Sequence, residues 1–440
     1  MDKLTKNIMV DMSATLIHHG HIRLLEKASR LGKVIVGLTS DEQIILHKGY
    51  TPELRFNQRK EILESIEYVQ KVVKTNWHID DATLKKYKID LLVHGNDNNN
   101  NIDLKKLQIF PRTKEISSTL LRNNASKSII NIKNNKLMLT PGPAQLLYEN
   151  ISNLRPLFGR GDKDYDSMYN EVINWVKKMC GQDKVVALQG SSTLAIEIAS
   201  KNFLKGTALL VDTGFYSNRI KDLIHKDLAL DSCKYEELKL VRKEYDWIIV
   251  AYTETSEAFK VDIDIIQQTA KKIKAKIFLD ATGSIGLEPK HHIADLVAFS
   301  SCKGLFGLAG ACFIGYKQNL IKNNFVGSFY LDINTHINKL VTGPYHALAS
   351  LSGIIHNHSL FLERVKKSKE LIINHFPDTS NTQNQPLLCT HIEGEVLAND
   401  SDVVLYSPRS KKKGSIVCHL GEIHKDEPSL LKRITINPLI

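Results

Sequence analysis

The sequence contains no run of eighteen or more apolar residues, so it offers no candidate for a membrane-spanning helix. Its start, MDKLTKNIMV, has no apolar core of the length that a secretory signal requires. Cysteine is scarce, and the six cysteines form no CxxC pair and no His/Cys spacing typical of a zinc site. We therefore expect a cytoplasmic protein with reduced thiols.

Charge is unbalanced, with a formal net charge of +11, but the lysines are scattered along the chain. A nucleic-acid surface needs basic residues gathered on one face, so we do not expect nucleic acid as a partner. The excess of positive charge favours small anionic substrates instead. The chain has 440 residues and 42% hydrophobic content, which is enough for two or three cores.

The first 125 residues have the pattern of a parallel α/β domain. Residues 8–10 are apolar, a helical spacing of apolar residues runs from Ile22 to Leu31, and VIVGL follows at 34–38. This order predicts a strand–helix–strand unit and hence a parallel sheet. A second helix is predicted over 53–68 and an extended segment over 88–95, followed by a polar NDNNNN tract. Turn-forming residues predict a linker over 126–136.

The remainder, 137–440, alternates helical stretches with apolar strands such as ALLVD, WIIVAY, IFLDA and LVAFS. This rhythm predicts a large doubly wound sheet. From about residue 340 the pattern changes to helices and mixed segments, which predicts a smaller C-terminal α+β subdomain.

The first candidate site is HHGH at 18–21, where His18, Gly20 and His21 follow the first strand and open the first helix. Two imidazoles at a positive helix end suit a phosphate chain. Nucleotidyl transfer needs mainly stabilisation of charge on the phosphate under attack, which such a site can supply.

With Lys48 in HKGY, HGND at 94–97 and PRTKEISSTLLR at 111–122, this domain resembles the cytidylyltransferase family, and MSATLIHHGH resembles members that act on phosphonates. The resemblance implies a Rossmann-like HxGH nucleotidyltransferase fold that uses CTP with Mg²⁺. By resemblance, His18 and His21 stabilise the α-phosphate and Lys48 neutralises phosphates. The triphosphate and cytosine would be bound by the remaining family positions: Gly20, Gly95, Asn96, Arg112, Ser117, Ser118 and Thr119.

The sequence departs from the family pattern at Thr15, which replaces an aspartate, at Asn96, and at Glu115, which replaces a glycine. These departures leave open an altered substrate or a degenerate, non-catalytic dimerising scaffold.

The second candidate site is Lys303 in SSCKG, directly after the apolar strand LVAFS, where an amine can be desolvated and kept nucleophilic. Asp280 ends the strand IFLD, a position where a carboxylate can pair with the ring nitrogen of a cofactor. GSST at 190–193 follows another strand and should begin a helix, whose amides suit a phosphate.

With LMLTPGPAQL, DTGFYSNR and TETS, these elements resemble the class V aminotransferases of fold-type I, in particular those acting on 2-aminoethylphosphonate and pyruvate. The resemblance implies pyridoxal 5'-phosphate bound covalently to Lys303, Asp280 at its ring nitrogen, and a homodimer. Ser192 and Thr193 would bind its phosphate, Phe215 or Tyr216 would cover the ring, and Thr255 would contact its hydroxyl. The family places an arginine for the substrate carboxylate where this sequence has His419.

Together the two resemblances imply a bifunctional enzyme of phosphonate biosynthesis. One domain would join CTP and 2-aminoethylphosphonate with release of pyrophosphate, and the other would interconvert phosphonoacetaldehyde and alanine with 2-aminoethylphosphonate and pyruvate. One alternative assigns phosphoethanolamine, phosphocholine or glycerol phosphate to the first domain and another amine to the second. No metal-ligand set is apparent from the sequence.

Overall fold

The computed structural model describes residues 6–97, 99–133, 135–323, 327–377, 384–409 and 412–438. The chain divides into two compact units, Met1–Ile129 and Ile130–Ile440. Within the described ranges, no helix is both long and apolar enough to cross a membrane. All six cysteines are free thiols.

The first unit is built on a five-stranded parallel sheet with the strand order β3-β2-β1-β4-β5. The central strand carries Ile8, Met9 and Val10, which are fully buried, as expected for a parallel sheet covered on both faces. The predicted strand–helix–strand unit is confirmed. The strands are β1 (Asn7–Met12), β2 (Lys33–Thr39), β3 (Val69–Thr75), β4 (Leu91–Gly95) and β5 (Leu107–Phe110).

The helices of this unit begin after the strands, at the sheet edge where the carboxyl ends of the strands meet. The Ser40 side chain accepts a hydrogen bond from the Gln43 amide and so caps the second helix. The helices are α1 (His19–Ser29), α2 (Asp41–Lys48), α3 (Phe56–Glu64), α4 (Asp81–Lys86) and α5 (Ser118–Lys133).

The predicted linker over 126–136 is mostly helical, because α5 continues through Lys133. Residue 134 lies outside the described residues. Ser117 starts this helix by accepting a hydrogen bond from the Leu120 amide. Asparagine and serine are only weakly unfavourable inside a helix once it has been started, and the division between the two compact units, after Ile129, falls inside this segment.

The second unit is built on a seven-stranded sheet with the strand order β7-β15-β14-β13-β10-β8-β9. Six of its strands run in one direction, whereas β15 is antiparallel to both of its neighbours, so the sheet is mixed. The strands are β7 (Lys184–Gln189), β8 (Thr207–Asp212), β9 (Ala229–Lys234), β10 (Trp247–Ala251), β13 (Lys276–Asp280), β14 (Leu296–Ser300) and β15 (Ala311–Tyr316).

Short strands pair outside the large sheet, and most of them lie in the C-terminal part. The first of them, β6, pairs with β18, so the segment just after α5 joins a strand of the C-terminal part. A smaller subdomain that begins near residue 340 stays a prediction. The pairs are β6 (Leu137–Leu139) with β18 (Val403–Leu405), β11 (Thr253–Glu254) with β12 (Phe259–Lys260), β16 (Cys389–Ile392) with β19 (Ser415–Cys418), and β17 (Gly394–Ala398) with β20 (Ile434–Pro438).

Helices cover the large sheet and continue into the C-terminal part. One of the two longest, α7, buries one face that includes Val172 and Val176. The helices are α6 (Tyr148–Ser152), α7 (Lys163–Cys180), α8 (Ser192–Phe203), α9 (Phe215–Leu223), α10 (Ile263–Lys272), α11 (Ile333–Ile337), α12 (Tyr345–Ser352) and α13 (His358–His375).

Candidate functional sites

The first unit contains a cavity of about 700 Å³ that opens where β1 and β4 end. This volume is ordinary for a nucleotide-sized ligand. Asn96 does not line the cavity and is exposed, whereas the next residue, Asp97, lines it and approaches Arg112 to 3.5 Å. The other predicted residues all line it: His18, Gly20, His21, Lys48, Gly95, Arg112, Ser117, Ser118 and Thr119.

The two histidines lie at the start of α1 with their ring centroids 3.9 Å apart. The backbone N–H of His18 donates to Nδ1 of His21 at 3.3 Å, which leaves the proton of a neutral His21 on Nε2. Burial, followed by His18 and Arg112, lowers the pKa of His21 to about 3. Burial also lowers the pKa of His18, whose buried Nδ1 has no hydrogen-bond partner. Both rings are therefore neutral donors at neutral pH.

The start of α5 forms another wall of this cavity. Ser118 Oγ donates to the carbonyl of Leu16 at 3.1 Å, which ties the helix to the loop before the histidines. Glu115 has a φ of 64°, in the left-handed region that favours glycine. The backbone geometry that a glycine would provide is thus retained with a glutamate at this position.

Thr15 is buried, and its hydroxyl accepts a hydrogen bond from Nη2 of Arg122 at 2.8 Å. The same guanidinium pairs with both carboxylate oxygens of Glu53 and lies 4.6 Å from the ring of Tyr50. A carboxylate from a loop therefore lies close to the position where the family has an aspartate.

Asp11, at the end of β1, lines the same cavity and was missed by the sequence reasoning. Its side chain is only 7% exposed and accepts a hydrogen bond from Asn100 at 3.1 Å, and His94 lies 3.7 Å away. Burial raises the pKa of Asp11 to about 6, despite opposing contributions from Asn100 and His94. A perturbed carboxyl in a cavity is a common mark of a binding site.

The second unit contains a cavity of about 390 Å³. It brings together six predicted residues from separate segments: Ser192, Thr193, Tyr216, Thr255, Asp280 and Lys303. Phe215 does not line it, and its ring packs beside the guanidinium of Arg409 at 5.2 Å. Of the two aromatic candidates, Tyr216 is the one that reaches this cavity.

Lys303 lies against the turn that contains Gly142. A Cβ on Gly142 would come within 3.0 Å of the Lys303 side chain, and this glycine has a φ of 138°, a conformation that other residues rarely adopt. The Ala144 amide donates to the carbonyl of Cys302 at 2.7 Å and holds the two segments together. The backbone at Gly142 therefore packs directly against the Lys303 side chain and leaves no room for a larger residue at position 142.

Asp280 ends β13 with 7% exposure, and Thr282 donates to its Oδ1 through the backbone N–H at 2.9 Å and through the hydroxyl at 2.5 Å. Ser192 and Thr193 lie in the first turn of α8, where backbone N–H groups lack partners within the helix. An amine, a fixed carboxylate and a helix N-terminus fit a phosphorylated pyridine aldehyde.

The structure contradicts the expected contact between His419 and a substrate carboxylate. Its side chain is 1% exposed and does not line the cavity, and its Nε2 lies 2.9 Å from Oγ1 of Thr390. Burial, followed by Lys369, lowers the pKa of His419 to about 3, so the ring carries no charge to pair with an acid. Residues 416–420 are all buried, so this segment is covered on both faces and leaves His419 no route to the cavity.

Within the described residues, no group of three or more His, Cys, Asp and Glu side chains could hold a metal ion. Mg²⁺ bound with CTP therefore stays a prediction.

Comparison with known proteins separates the two units. The model of the cytidylyltransferase-like family matches residues 14–124. Glycerol-3-phosphate cytidylyltransferase of Bacillus subtilis is 34% identical over 122 residues, which cover 27% of this chain and 95% of that protein.

The second unit resembles aminotransferases. A 2-aminoethylphosphonate–pyruvate transaminase of Pseudomonas aeruginosa is 22% identical over 198 residues, which cover 40% of this chain and 53% of that protein. The crystal structure of an aspartate aminotransferase from Thermus thermophilus superimposes with a TM-score of 0.56 at 16% identity, over 64% of this chain and 93% of that one. The second unit therefore has an aminotransferase fold.

Proposed function

The chain belongs to the cytidylyltransferase family through residues 14–124, and we propose that it is a bifunctional enzyme of phosphonate biosynthesis. The first unit would join CTP and 2-aminoethylphosphonate to give CMP-2-aminoethylphosphonate and pyrophosphate. The second would transfer the amino group between alanine and phosphonoacetaldehyde, yielding 2-aminoethylphosphonate and pyruvate. By resemblance to fold-type I enzymes, we propose that it acts as a homodimer in the cytoplasm.

In cytidylyl transfer, a phosphonate oxygen attacks the α-phosphate of CTP and pyrophosphate leaves. The Nε2–H of His21 can donate to a non-bridging oxygen as charge builds up there. Lys48 and Arg112 line the same cavity as cations for the triphosphate, and the start of α5 adds the positive end of a helix. Lys48, at the end of α2, lies 5.4 Å from the ring of Trp77.

The observation that carries the substrate assignment is Asp11. A buried carboxyl is stabilised in its charged form by a cation, and the ammonium of 2-aminoethylphosphonate is such a cation. Glycerol phosphate carries none. The charge of Asp11 in the nucleotide cavity therefore supports an amino-substituted acceptor.

In the second unit, pyridoxal 5'-phosphate would supply an electron sink for the carbanion formed at the substrate's amine-bearing carbon. Lys303, which lines the same cavity, would hold the cofactor and then move a proton at that carbon. Asp280, fixed by Thr282, can keep the ring nitrogen protonated. Tyr216 can cover the ring, and Ser192 and Thr193 can bind the phosphate.

A second candidate for the first unit is a phosphate ester, which the similarity to glycerol-3-phosphate cytidylyltransferase favours. Glycerol 3-phosphate lacks the cationic far end of 2-aminoethylphosphonate, so Asp11→Asn discriminates between these two acceptors. Phosphoethanolamine carries the same ammonium group, so only direct comparison of its turnover separates it from the phosphonate. We would measure kcat/KM with CTP for 2-aminoethylphosphonate, phosphoethanolamine, ethylphosphonate and glycerol 3-phosphate, with both the parent protein and the variant.

We expect the parent to prefer 2-aminoethylphosphonate, and Asp11→Asn to raise its KM by about 10- to 100-fold, since a charge-assisted hydrogen bond contributes about 1.5–3 kcal/mol. The KM for ethylphosphonate, which lacks the amine, should change little. A parent enzyme that turns over glycerol 3-phosphate best would contradict the proposal, and a preference for phosphoethanolamine would move the substrate to a phosphate ester.

A further inference from the structure

Arg219 lines the cofactor cavity of the second unit and has no part in the scheme above. It lies on α9 one turn after Tyr216, and its guanidinium carbon is 5.2 Å from the centre of the tyrosine ring. Residues three apart on a helix lie on the same face, so the two side chains reach the cavity together.

The helix that carries Arg219 is fixed at its start by a buried carboxylate. Glu254 is fully buried, and its Oε2 accepts hydrogen bonds from the backbone N–H groups of Tyr216 at 2.9 Å and Ser217 at 3.1 Å. Gly214 precedes them with a φ of 144°, and a Cβ there would come within 2.9 Å of the Glu254 side chain. These contacts fix the start of α9 and therefore the position of the helix that carries Arg219.

The guanidinium itself is not committed to another protein group. Its Nε is buried and has no hydrogen-bond partner, and Arg219 takes part in none of the ion pairs among the described residues. Stacking on Tyr216 leaves the N–H edge of a guanidinium free to bind an anion. An unpaired buried donor is costly, so its persistence points to a ligand that completes it.

Transamination in this cavity requires a cation for the acid group of the substrate. In the described part of the chain, Lys303 and Arg219 are the basic residues that line the cavity, and the amine of Lys303 is needed for the cofactor. The C-terminal position where related enzymes have an arginine is occupied by the buried His419. We propose that Arg219 binds the acid group of the amino and oxo substrates, an inference that rests on the transamination proposed above.

The acid group is a carboxylate in alanine and pyruvate and a phosphonate in the other pair. Both are oxyanions that a guanidinium binds through paired N–H groups. Because the two pairs occupy the cavity in turn, a single arginine can serve both.

The test uses the full-length protein loaded with pyridoxal 5'-phosphate. Affinities of acetate and methylphosphonate, which carry the anion without a reactive amine, would be measured by calorimetry, and KM for alanine and 2-aminoethylphosphonate by steady-state kinetics. Arg219→Gln should weaken probe binding and raise KM by about 10- to 100-fold. Arg219→Lys, which keeps the charge but not the paired N–H groups, should fall between it and the parent.

Arg409→Gln is the matched control, because Arg409 packs beside the ring of Phe215 but does not line the cavity. It should leave KM and both affinities at parent values. Weakening of either probe by Arg219→Gln supports the proposal and identifies which acid is held. Parent-like affinity for both probes in Arg219→Gln, or weakening by Arg409→Gln in its place, would overturn it.

Measuring anion binding as well as turnover distinguishes failure of the proposed anion site from failure of the proposed transamination. If the parent protein binds the anions through Arg219 but transfers no amino group, the anion site stands and the proposed transamination fails. If the protein transaminates with a KM that does not depend on Arg219, the transamination stands and the anion site fails. Arg219→Lys covers the case in which Arg219→Gln does not fold.

Discussion

The two cavities differ in the charge of one side chain in each that takes no part in the proposed chemistry. The first has a buried carboxyl, Asp11, whose pKa is raised to about 6, and the second has a guanidinium, Arg219, with an unpaired buried Nε. In the proposed scheme, 2-aminoethylphosphonate enters both. It reacts through its phosphonate in the first unit and through its amine in the second. Each cavity therefore needs to recognise the end of the substrate that does not react there. The carboxylate of Asp11 suits the ammonium end in the first unit, and the guanidinium of Arg219 suits the phosphonate end in the second.

In both units, the residues proposed for the reaction differ from the residue proposed to bind the far end of the substrate. In the proposed scheme, neutral histidines and a helix start would stabilise phosphate charge in one unit, and a lysine with a fixed carboxylate would support the cofactor in the other. Asp11 and Arg219 are not among those residues. Substitutions should therefore be able to remove substrate recognition or the reaction separately, and to affect one unit without the other.

The largest difference between the effects on the two activities is expected for Lys303→Ala. Loss of the amine proposed to hold the cofactor should lower alanine-dependent transamination by more than about 10³-fold, because the nucleophile is removed. Cytidylyl transfer should be unchanged. The assay is pyruvate formation from alanine and phosphonoacetaldehyde.

A suitable control for this variant is Lys290→Ala, since Lys290 pairs with Asp264 at an exposed position. It should transaminate like the parent. Transamination that survives in Lys303→Ala would show that the cofactor is held elsewhere.

The converse variant, His21→Ala, should lower kcat of cytidylyl transfer by about 10²- to 10³-fold, the usual cost of removing one donor to a developing oxyanion. Pyrophosphate release reports this rate. Because burial lowers the pKa of His21 to about 3, the rate should not fall through loss of a histidine proton between pH 6 and 8.

His19→Ala provides the matched comparison, since His19 is an exposed neighbour that does not line the cavity. A loss in His19→Ala equal to that in His21→Ala would mean that helix α1, and not the imidazole, is what matters.

The smallest effect is on stability. The folded-state pKa of Asp11 is raised from 3.8 to about 6, so the folded protein binds this proton more tightly than the unfolded chain does. Stability is therefore lost as pH rises from about 4 through 6, and Asp11→Asn, which cannot ionise, should be more stable than the parent above pH 6 by about 1–3 kcal/mol.

Urea denaturation at pH 4 and pH 7 measures this difference, which should close at the lower pH. Asp81→Asn, at a 59% exposed position, should show a far smaller pH-dependent difference. If Asp11→Asn were the less stable protein at pH 7, the contacts of the carboxylate with Asn100 and His94 would outweigh the cost of burying its charge.

Sequence reasoning worked best where chemistry and fold share a short segment. HHGH follows a strand and opens a helix, and its placement in the cavity followed from that order alone. Asp11 was missed because it lies at the end of an apolar run whose period indicates only a strand. Asn96 was predicted to line the cavity, but the next residue, Asp97, lines it instead. The type of turn decides which side chain of this segment faces inward, and the sequence does not fix that type.

The second unit shows a different limit. Lys303 and Asp280 could be placed because each ends or follows a buried strand. β15 was not among the predicted strands, although ACFIGY is an apolar run. His419 was assigned by its position in a motif, whereas strand pairing with β16 turned it inward. Arg219 belonged to a recognised segment, but only the folded structure shows that its guanidinium lacks a partner.

The most direct test of the whole account is phosphorus NMR of the purified protein with pyridoxal 5'-phosphate, Mg²⁺, CTP, alanine and phosphonoacetaldehyde in one tube. The account predicts that 2-aminoethylphosphonate appears first and is then converted to a phosphonate–phosphate anhydride with release of pyrophosphate, and that omitting alanine prevents both. If added glycerol 3-phosphate is cytidylylated while 2-aminoethylphosphonate accumulates unchanged, the proposed coupling is contradicted. Absence of any new signal would indicate the non-catalytic scaffold.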